Sequence, residues 1–307
     1  MIRAAIFFAL LVFCLTPWAS PPIALALGLA LALTIGHPFT ARTPKITKLL
    51  LQASVVGLGF GMNLQKVLAA GRTGILFTIA TITGTLILGF LIGRAMNISH
   101  GTAHLISSGT AICGGSAIAA VGPIIGATDE EMSVSLGTVF ILNAIALFIF
   151  PPIGAQLHLT QTQFGVWAAI AIHDTSSVVG AASKYGVEAL QIATTIKLTR
   201  ALWIVPLAIG TAFAFRRKST RIVIPWFILW FLVASIVRTY TPAPVAVWDV
   251  LVRIARIGLT VTLFLIGAGL SRRALAAVGA RPLILGVILW IAISSVSLWA
   301  VLATLAR

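Results

Sequence analysis

The chain has 307 residues, of which 59% are hydrophobic and only 9% charged, with a mean hydropathy of +1.09. A soluble domain carries roughly 25% charged residues, so too little polar surface is available here to cover a globule in water. That excludes a soluble enzyme, a nucleic-acid binder and a disordered protein. The net charge of +15 does not reverse this, because the basic residues sit mostly in short loops between apolar runs, where they orient a membrane protein. Two cysteines, Cys14 and Cys113, lie inside apolar stretches and form no CxxC pair, so neither a disulfide framework nor a zinc site is expected.

Hydropathy and helix breakers divide the chain into apolar segments at 4–20, 22–36, 49–62, 74–93, 106–126, 132–153, 164–184, 189–213, 223–240, 255–270 and 282–304. Barrel strands alternate polar and apolar positions; these runs do not, and helices satisfy their own backbone groups as lipid demands. The expectation is an all-α polytopic membrane protein of about eleven hydrophobic segments, a single transporter domain over residues 1–307. The first run resembles a signal peptide, but Pro21 and Pro22 follow Ser20 directly and Trp18 precedes Ala19, which favours a retained first span. Basic clusters follow segment 2 (Arg42, Lys45, Lys48), segment 8 (Arg216, Arg217, Lys218, Arg221) and segment 10 (Arg272, Arg273, Arg281). A cytoplasmic N-terminus and an external C-terminus put all three inside.

Two pairs of internal repeats stand out. QKVLAAGR at 65–72 and RRALAAVGAR at 272–281 each follow a span ending in small residues, and they point in opposite directions. That pattern marks the inverted repeats of secondary transporters. The second pair sets segments 5 and 6 against 7 and 8. TAICGGSAIAA (Thr110–Ala120) and HDTSSVVGAAS (His173–Ser183) are each broken at mid-span by Gly, Ser or Thr, and an intact helix follows. An offset of 57 aligns Glu131 with Glu188 and Asn143 with Arg200. If both broken segments cross the bilayer the pair is parallel; if both are re-entrant it is inverted. Sequence alone does not choose.

Ionisable groups at membrane depth cost about 2.5–3.5 kcal/mol each on insertion scales. Four occur: His173 and Asp174 in segment 7, and Lys197 and Arg200, three apart on one face of segment 8. Asp174 and Lys197 share a depth, roughly 12–15 Å from a segment end at about 1.5 Å per residue. Two cations against one carboxylate suit an anion. Half-helix N-termini add unpaired N–H groups, Ser116, Thr175, Ser176 and Ser177 add hydroxyls, and Gly114 and Gly115 permit close backbone approach. The expected substrate site is therefore Cys113, Gly114, Gly115, Ser116, Asn143, Thr175, Ser176, Ser177, Lys197 and Arg200, with Asp174 and His173 as coupling groups. A structural bridge between Asp174 and the cations is the bland alternative. His100 and His104 lack a carboxylate neighbour, and no HExxH, GxSxG or Walker sequence occurs, so no metal, cofactor or catalytic residue is expected.

TAICGGSAIAAVGPIIGA, FGVWAAIAIHDTSSVVGAAS and IATTIKLTRALWIVPLA together resemble the YeiH family, whose members carry the label sulfate exporter. That family is similar in turn to the cation/proton antiporter and anion transporter superfamily. The resemblance implies a bacterial inner-membrane, multi-pass carrier with two broken helices in inverted repeats, and by analogy a homodimer. It departs from the family's pattern at Ser177, where Gln is common. The combined expectation is secondary transport of a small anion, sulfate or a related sulfur oxyanion. Transport is expected to run outward and to be proton-coupled, with sodium as the alternative coupling ion; membrane lipid and a second copy of the chain are the other expected partners, and nucleic acid is not one. An anion channel and a membrane-embedded enzyme are the rival readings.

Overall fold

In the computed structural model, residues 2–36, 38–39, 43–62, 64–65, 75–215, 226–242, 244–269 and 278–305 are described. They form fourteen helices. The first four are α1 (Ile2–Phe13), α2 (Pro21–Thr34), α3 (Thr43–Gly59) and α4 (Ile75–Ala95). Next come α5 (His100–Ala111), α6 (Gly115–Ile125), α7 (Asp129–Gln156), α8 (Gln161–Ala171) and α9 (Thr175–Tyr185). The remainder are α10 (Val187–Ala201), α11 (Ile204–Ala214), α12 (Trp226–Tyr240), α13 (Val245–Gly269) and α14 (Ala280–Thr304). Local chemistry sets the ends. Pro21 and Pro22 occupy the first turn of α2, where a missing N–H costs nothing. Capping boxes open α7 (Thr128 with Glu131) and α8 (Thr160 with Gln163).

Five stretches are long and apolar enough to cross a membrane: Phe77–Ala95, Glu130–Gln156, Val187–Ala214, Val245–Gly269 and Ala280–Thr304. Shorter apolar helices accompany them. The expected all-helical, polytopic architecture is what the described residues show.

Segments 5 and 7 break where the sequence predicts, at Ile112–Gly114 and Ile172–Asp174. What their ends touch bears on the choice between crossing and re-entry. At the start of α5, Ser99 Oγ donates to Glu131 Oε1 at 2.7 Å and the Thr102 carbonyl accepts from Ser135. At the end of α6, Gly122 packs on Met132, and the chain turns at a left-handed Gly126 directly into α7. Both ends of this pair therefore lie beside the N-terminal end of α7. The pair α8–α9 does the reverse. Phe164 and Tyr185 stack at 3.8 Å against Gly154, Tyr185 donates to the Leu159 carbonyl at 2.6 Å, and Gln161 Oε1 accepts from the N–H of Glu188. Both of its ends lie beside the C-terminal end of α7.

Each half-helix has 11 or 12 residues, about 17 Å at 1.5 Å per residue, which reaches only halfway across a hydrocarbon core of about 30 Å. The broken segments are thus two helical hairpins whose ends lie beside opposite ends of α7, the arrangement expected of re-entrant segments. Their tips meet beside Val139 and Asn143, about 20 Å along α7 from either of its ends. Hairpin plus α7 and hairpin plus α10–α11 are an inverted pair.

A second group of helices packs through small residues. Gly28 and Gly267 let α2 and α13 approach backbone to backbone, and Gly57 sits against Ala255 of α13, the close packing on which helix association in lipid depends. This group meets the hairpins where Gly180 of α9 touches Leu263 and Pro21. Segment 10 is longer than its apolar run suggests: α13 starts at Val245, and Asp249, Arg253 and Arg256 are exposed on its first turns. Most of the 65–72 and 272–281 repeat lies outside the described residues, as do Arg42 and the basic cluster at 216–221.

Re-entry is testable by cysteine labelling in a Cys14→Ser, Cys113→Ala background. His100→Cys and Glu130→Cys should react with an impermeant maleimide from one side of the membrane, and Leu157→Cys and Val187→Cys from the other. Labelling of His100→Cys and Glu130→Cys from opposite sides would mean that segment 5 crosses.

Candidate functional site

A helix broken inside a membrane leaves N–H groups and carbonyls without intrahelical partners, and in lipid no water replaces them. The sites of those orphan groups are the two hairpin tips. Gly114 turns the first tip with φ +63°, and a Cβ there would meet Val139 at 3.2 Å and both Asn143 Nδ2 and Asp174 Cβ at 3.5 Å. Any other residue would be strained at that φ and crowded as well. Asp174 turns the second tip. Its Oδ2 accepts from the N–H groups of Ser176 (3.0 Å) and Ser177 (3.2 Å) and from the Ser176 hydroxyl, an N-cap for α9 of the kind that contributes about 1 kcal/mol. Asn143, on α7, accepts at Oδ1 from the N–H of His173 (3.1 Å) and of Asp174 (3.2 Å).

The carbonyl ends are held by the two cations. Lys197 is fully buried, and its ammonium donates to Ile112 O (2.8 Å) at the first tip and to Ile172 O (2.7 Å) and Ala169 O (3.4 Å) at the second. All three of its donors are engaged. Arg200, one turn on, donates to Ala111 O at 2.6 Å and to Thr81 Oγ1 at 3.1 Å. The Trp290 indole donates to Ala171 O at 3.1 Å. Cations placed at helix C-termini also meet the negative end of each half-helix dipole, worth about half a charge. Lys197 and Asp174 do not pair. Each is spent on backbone, the lysine on carbonyls and the aspartate on N–H groups.

The ten expected binding residues and the two coupling groups come together on these two tips and the helix faces beside them. Cys113 is buried at the first tip. Gly115 packs near Phe140 and Leu136, and Ser116 is exposed. Thr175, Ser176 and Ser177 are buried in the first turn of α9. Buried polar atoms without a protein partner gather in the same region: Asn143 Nδ2, both ring nitrogens of His173, Arg200 Nε, and the hydroxyls of Ser108 and Thr110. Unpartnered buried polar groups are rare in folded proteins and mark places where water or a ligand belongs. Thr81 and Trp290 belong to the site and carry no local signal in the sequence. A threonine and a tryptophan in apolar spans are unremarkable until the fold brings them to a broken helix end.

Half-helix termini, buried cations and a carboxylate at mid-depth define an integral membrane protein built around a discontinuous-helix centre. The family described as Conserved hypothetical protein 698 matches residues 4–286. A UPF0324 membrane protein of Bacteroides thetaiotaomicron is 59% identical over 279 residues, covering 90% of this chain and 84% of its own. One from Porphyromonas gingivalis is 57% identical over 287 residues, covering 92% and 87%. Another from Vibrio parahaemolyticus is 52% identical over 298, covering 95% and 96%. No solved structure matches the chain. The chain belongs to this family, the UPF0324 membrane proteins.

Removing the staple should be costly. Lys197→Met would leave Ile112, Ala169 and Ile172 with buried carbonyls lacking a donor, each at about 1–3 kcal/mol. The expected result is a fall of about 10 °C in the unfolding temperature of the detergent-purified protein. An unchanged unfolding temperature would mean that these bonds do not hold the tips.

Proposed function

We propose that the protein is a secondary active transporter of a small anion, with sulfate or a related sulfur oxyanion as the first candidate. The observation that carries this reading is the meeting of two opposed re-entrant hairpins at mid-depth around Lys197, Arg200 and Asp174. Transporters bind substrate near the bilayer midplane, where discontinuous helices present their ends. The charges support an anion. Two cations stand against one carboxylate, the four half-helix ends cancel, and a positive surplus of about one charge remains. The unpartnered atoms of Asn143, His173 and Arg200 supply groups that a ligand with several oxygens can engage.

The sulfur oxyanion and the outward direction come from the resemblance to the sulfate exporter family, and so does a bacterial inner-membrane location. Basic loops favour a cytoplasmic N-terminus and an external C-terminus. On that orientation the α5–α6 hairpin enters from the cytoplasm and α8–α9 from outside. Alternating access would then expose the tips to one side at a time by moving the hairpins with α7 and α10 against the group containing α2, α3 and α13.

Purified protein in liposomes tests the reading. Saturable uptake of labelled sulfate or sulfite, accelerated by the same anion trapped inside, is expected of a carrier. An ohmic anion current without counterflow would make the protein a channel.

Coupling is assigned to Asp174, the only carboxylate at the tips. Its protonation removes the negative charge and leaves more positive potential for the anion, so binding should tighten as pH falls, with reciprocal proton uptake on anion binding. Asp174→Asn retains a good N-cap residue for α9 and should bind with the affinity of the protonated parent at every pH. Retention of the parent's full pH dependence would move the coupling role to His173.

A further inference from the structure

The two tips are alike in position but not in chemistry. In the inverted pair, Ile112-Cys113-Gly114 corresponds to Ile172-His173-Asp174, so the N-cap of α6 is Gly114 and the N-cap of α9 is Asp174. Asp174 closes its own helix with a carboxylate on the N–H groups of Ser176 and Ser177. Gly114 has no side chain, and α6 has no side-chain cap. The N–H groups of Gly115 and Ser116, which lie in the first turn and have no intrahelical acceptor, are left at the positive end of an 11-residue helix.

An independent feature points to the same place. Asn143 is buried at 3% exposure, and its carboxamide is divided between the tips. Oδ1 serves the second tip, whereas Nδ2 has no partner and lies 3.5 Å from where a Gly114 Cβ would be. A buried donor without a partner thus lies beside the uncapped end. Ser116, Ala119 and Pro123 are exposed along one face of α6, and none is a large apolar residue of the sort that α7 exposes at Ile145, Phe148 and Ile149.

We infer that the transported oxyanion has a single seat, at the N-terminus of α6, where it takes the place that the Asp174 carboxylate fills at α9. Its oxygens accept from the N–H groups of Gly115 and Ser116, the Ser116 hydroxyl and Asn143 Nδ2. The second tip is closed by its built-in anion. This rests on the transporter reading and narrows it: Thr175, Ser176 and Ser177 shape α9 and its cap, and Lys197 and Arg200 fix the tips and supply the field.

Two variants separate a seat from a structural role, measured on the full-length protein by calorimetric binding of sulfate, sulfite and phosphate and by counterflow of the anion that binds. Asn143→Asp retains the acceptor for the His173 and Asp174 N–H groups and replaces the unpartnered donor with an oxygen. Binding should weaken at least tenfold. Ser116→Asp, at an exposed position in the first turn of α6, ties a carboxylate to the vacant cap. It should raise the unfolding temperature while abolishing binding and counterflow, a combination that loss of structure cannot produce. If the parent binds and exchanges an oxyanion and Ser116→Asp does so within twofold of it, the seat is elsewhere and the transporter reading stands. If the parent binds and exchanges none of the three, the oxyanion-transporter reading fails and the seat fails with it.

Discussion

Everything at the centre of this molecule depends on one ammonium group. Lys197 is in contact with both hairpins at once, through Ile112 O on one and Ile172 O on the other. In water the end of a helix is satisfied by solvent. At membrane depth the same carbonyls would each cost a kilocalorie or more, and a hairpin tip could not remain there. A lysine is well suited to the task, because its three donors radiate from one point and can reach carbonyls on two separate hairpins. The partial negative charge of the two helix ends it meets offsets part of the desolvation of its charge.

The inverted pair uses its two intact helices reciprocally. Asn143, on the helix that follows the first hairpin, accepts from N–H groups of the second tip. Arg200, on the helix that follows the second hairpin, donates to a carbonyl of the first. These are the two positions that an offset of 57 aligns, so the correspondence in sequence matches a correspondence in role, with the polarity reversed. Neither hairpin is self-sufficient. Each has its tip completed by the other's helix, and this ties the positions of the two tips together and to the mid-depth of α7 and α10.

The broken segments were legible because breaking a helix in lipid requires unusual residues. Gly-Gly-Ser and Asp-Thr-Ser-Ser interrupt two apolar runs at matching places; small residues alone also serve close packing of unbroken spans, so it was the pair of matching breaks, one of them carrying a carboxylate, that made them legible. Mid-span Lys197 and Arg200 were legible for the same reason, through their cost. Their engagement with carbonyls was not, since composition reveals surplus charge but not which backbone atoms face it. Re-entry was illegible too. Length and hydropathy are the same for a crossing helix with a break and for a hairpin of two half-helices, and only distant contacts such as Ser99 with Glu131 and Tyr185 with Leu159 distinguish them. The first turns of α13 were missed because Asp249, Arg253 and Arg256 end an apolar run without ending a helix.

Charge balance links the proposed seat to the proposed coupling. With Asp174 ionised, the tips hold a positive surplus of about one charge. A monoanion at the α6 N-terminus would cancel it, and the loaded centre would be neutral at membrane depth, the condition under which a hairpin tip could change its exposure at least electrostatic cost. A dianion such as sulfate would overshoot by one negative charge. Protonating Asp174 removes that excess, because the α9 cap can be made by a neutral group while its negative charge is given up. A site of this composition therefore has a reason to move a divalent oxyanion together with one proton, and a monovalent one without it. The carboxylate that closes one tip would in this way set the charge of the cargo accepted at the other.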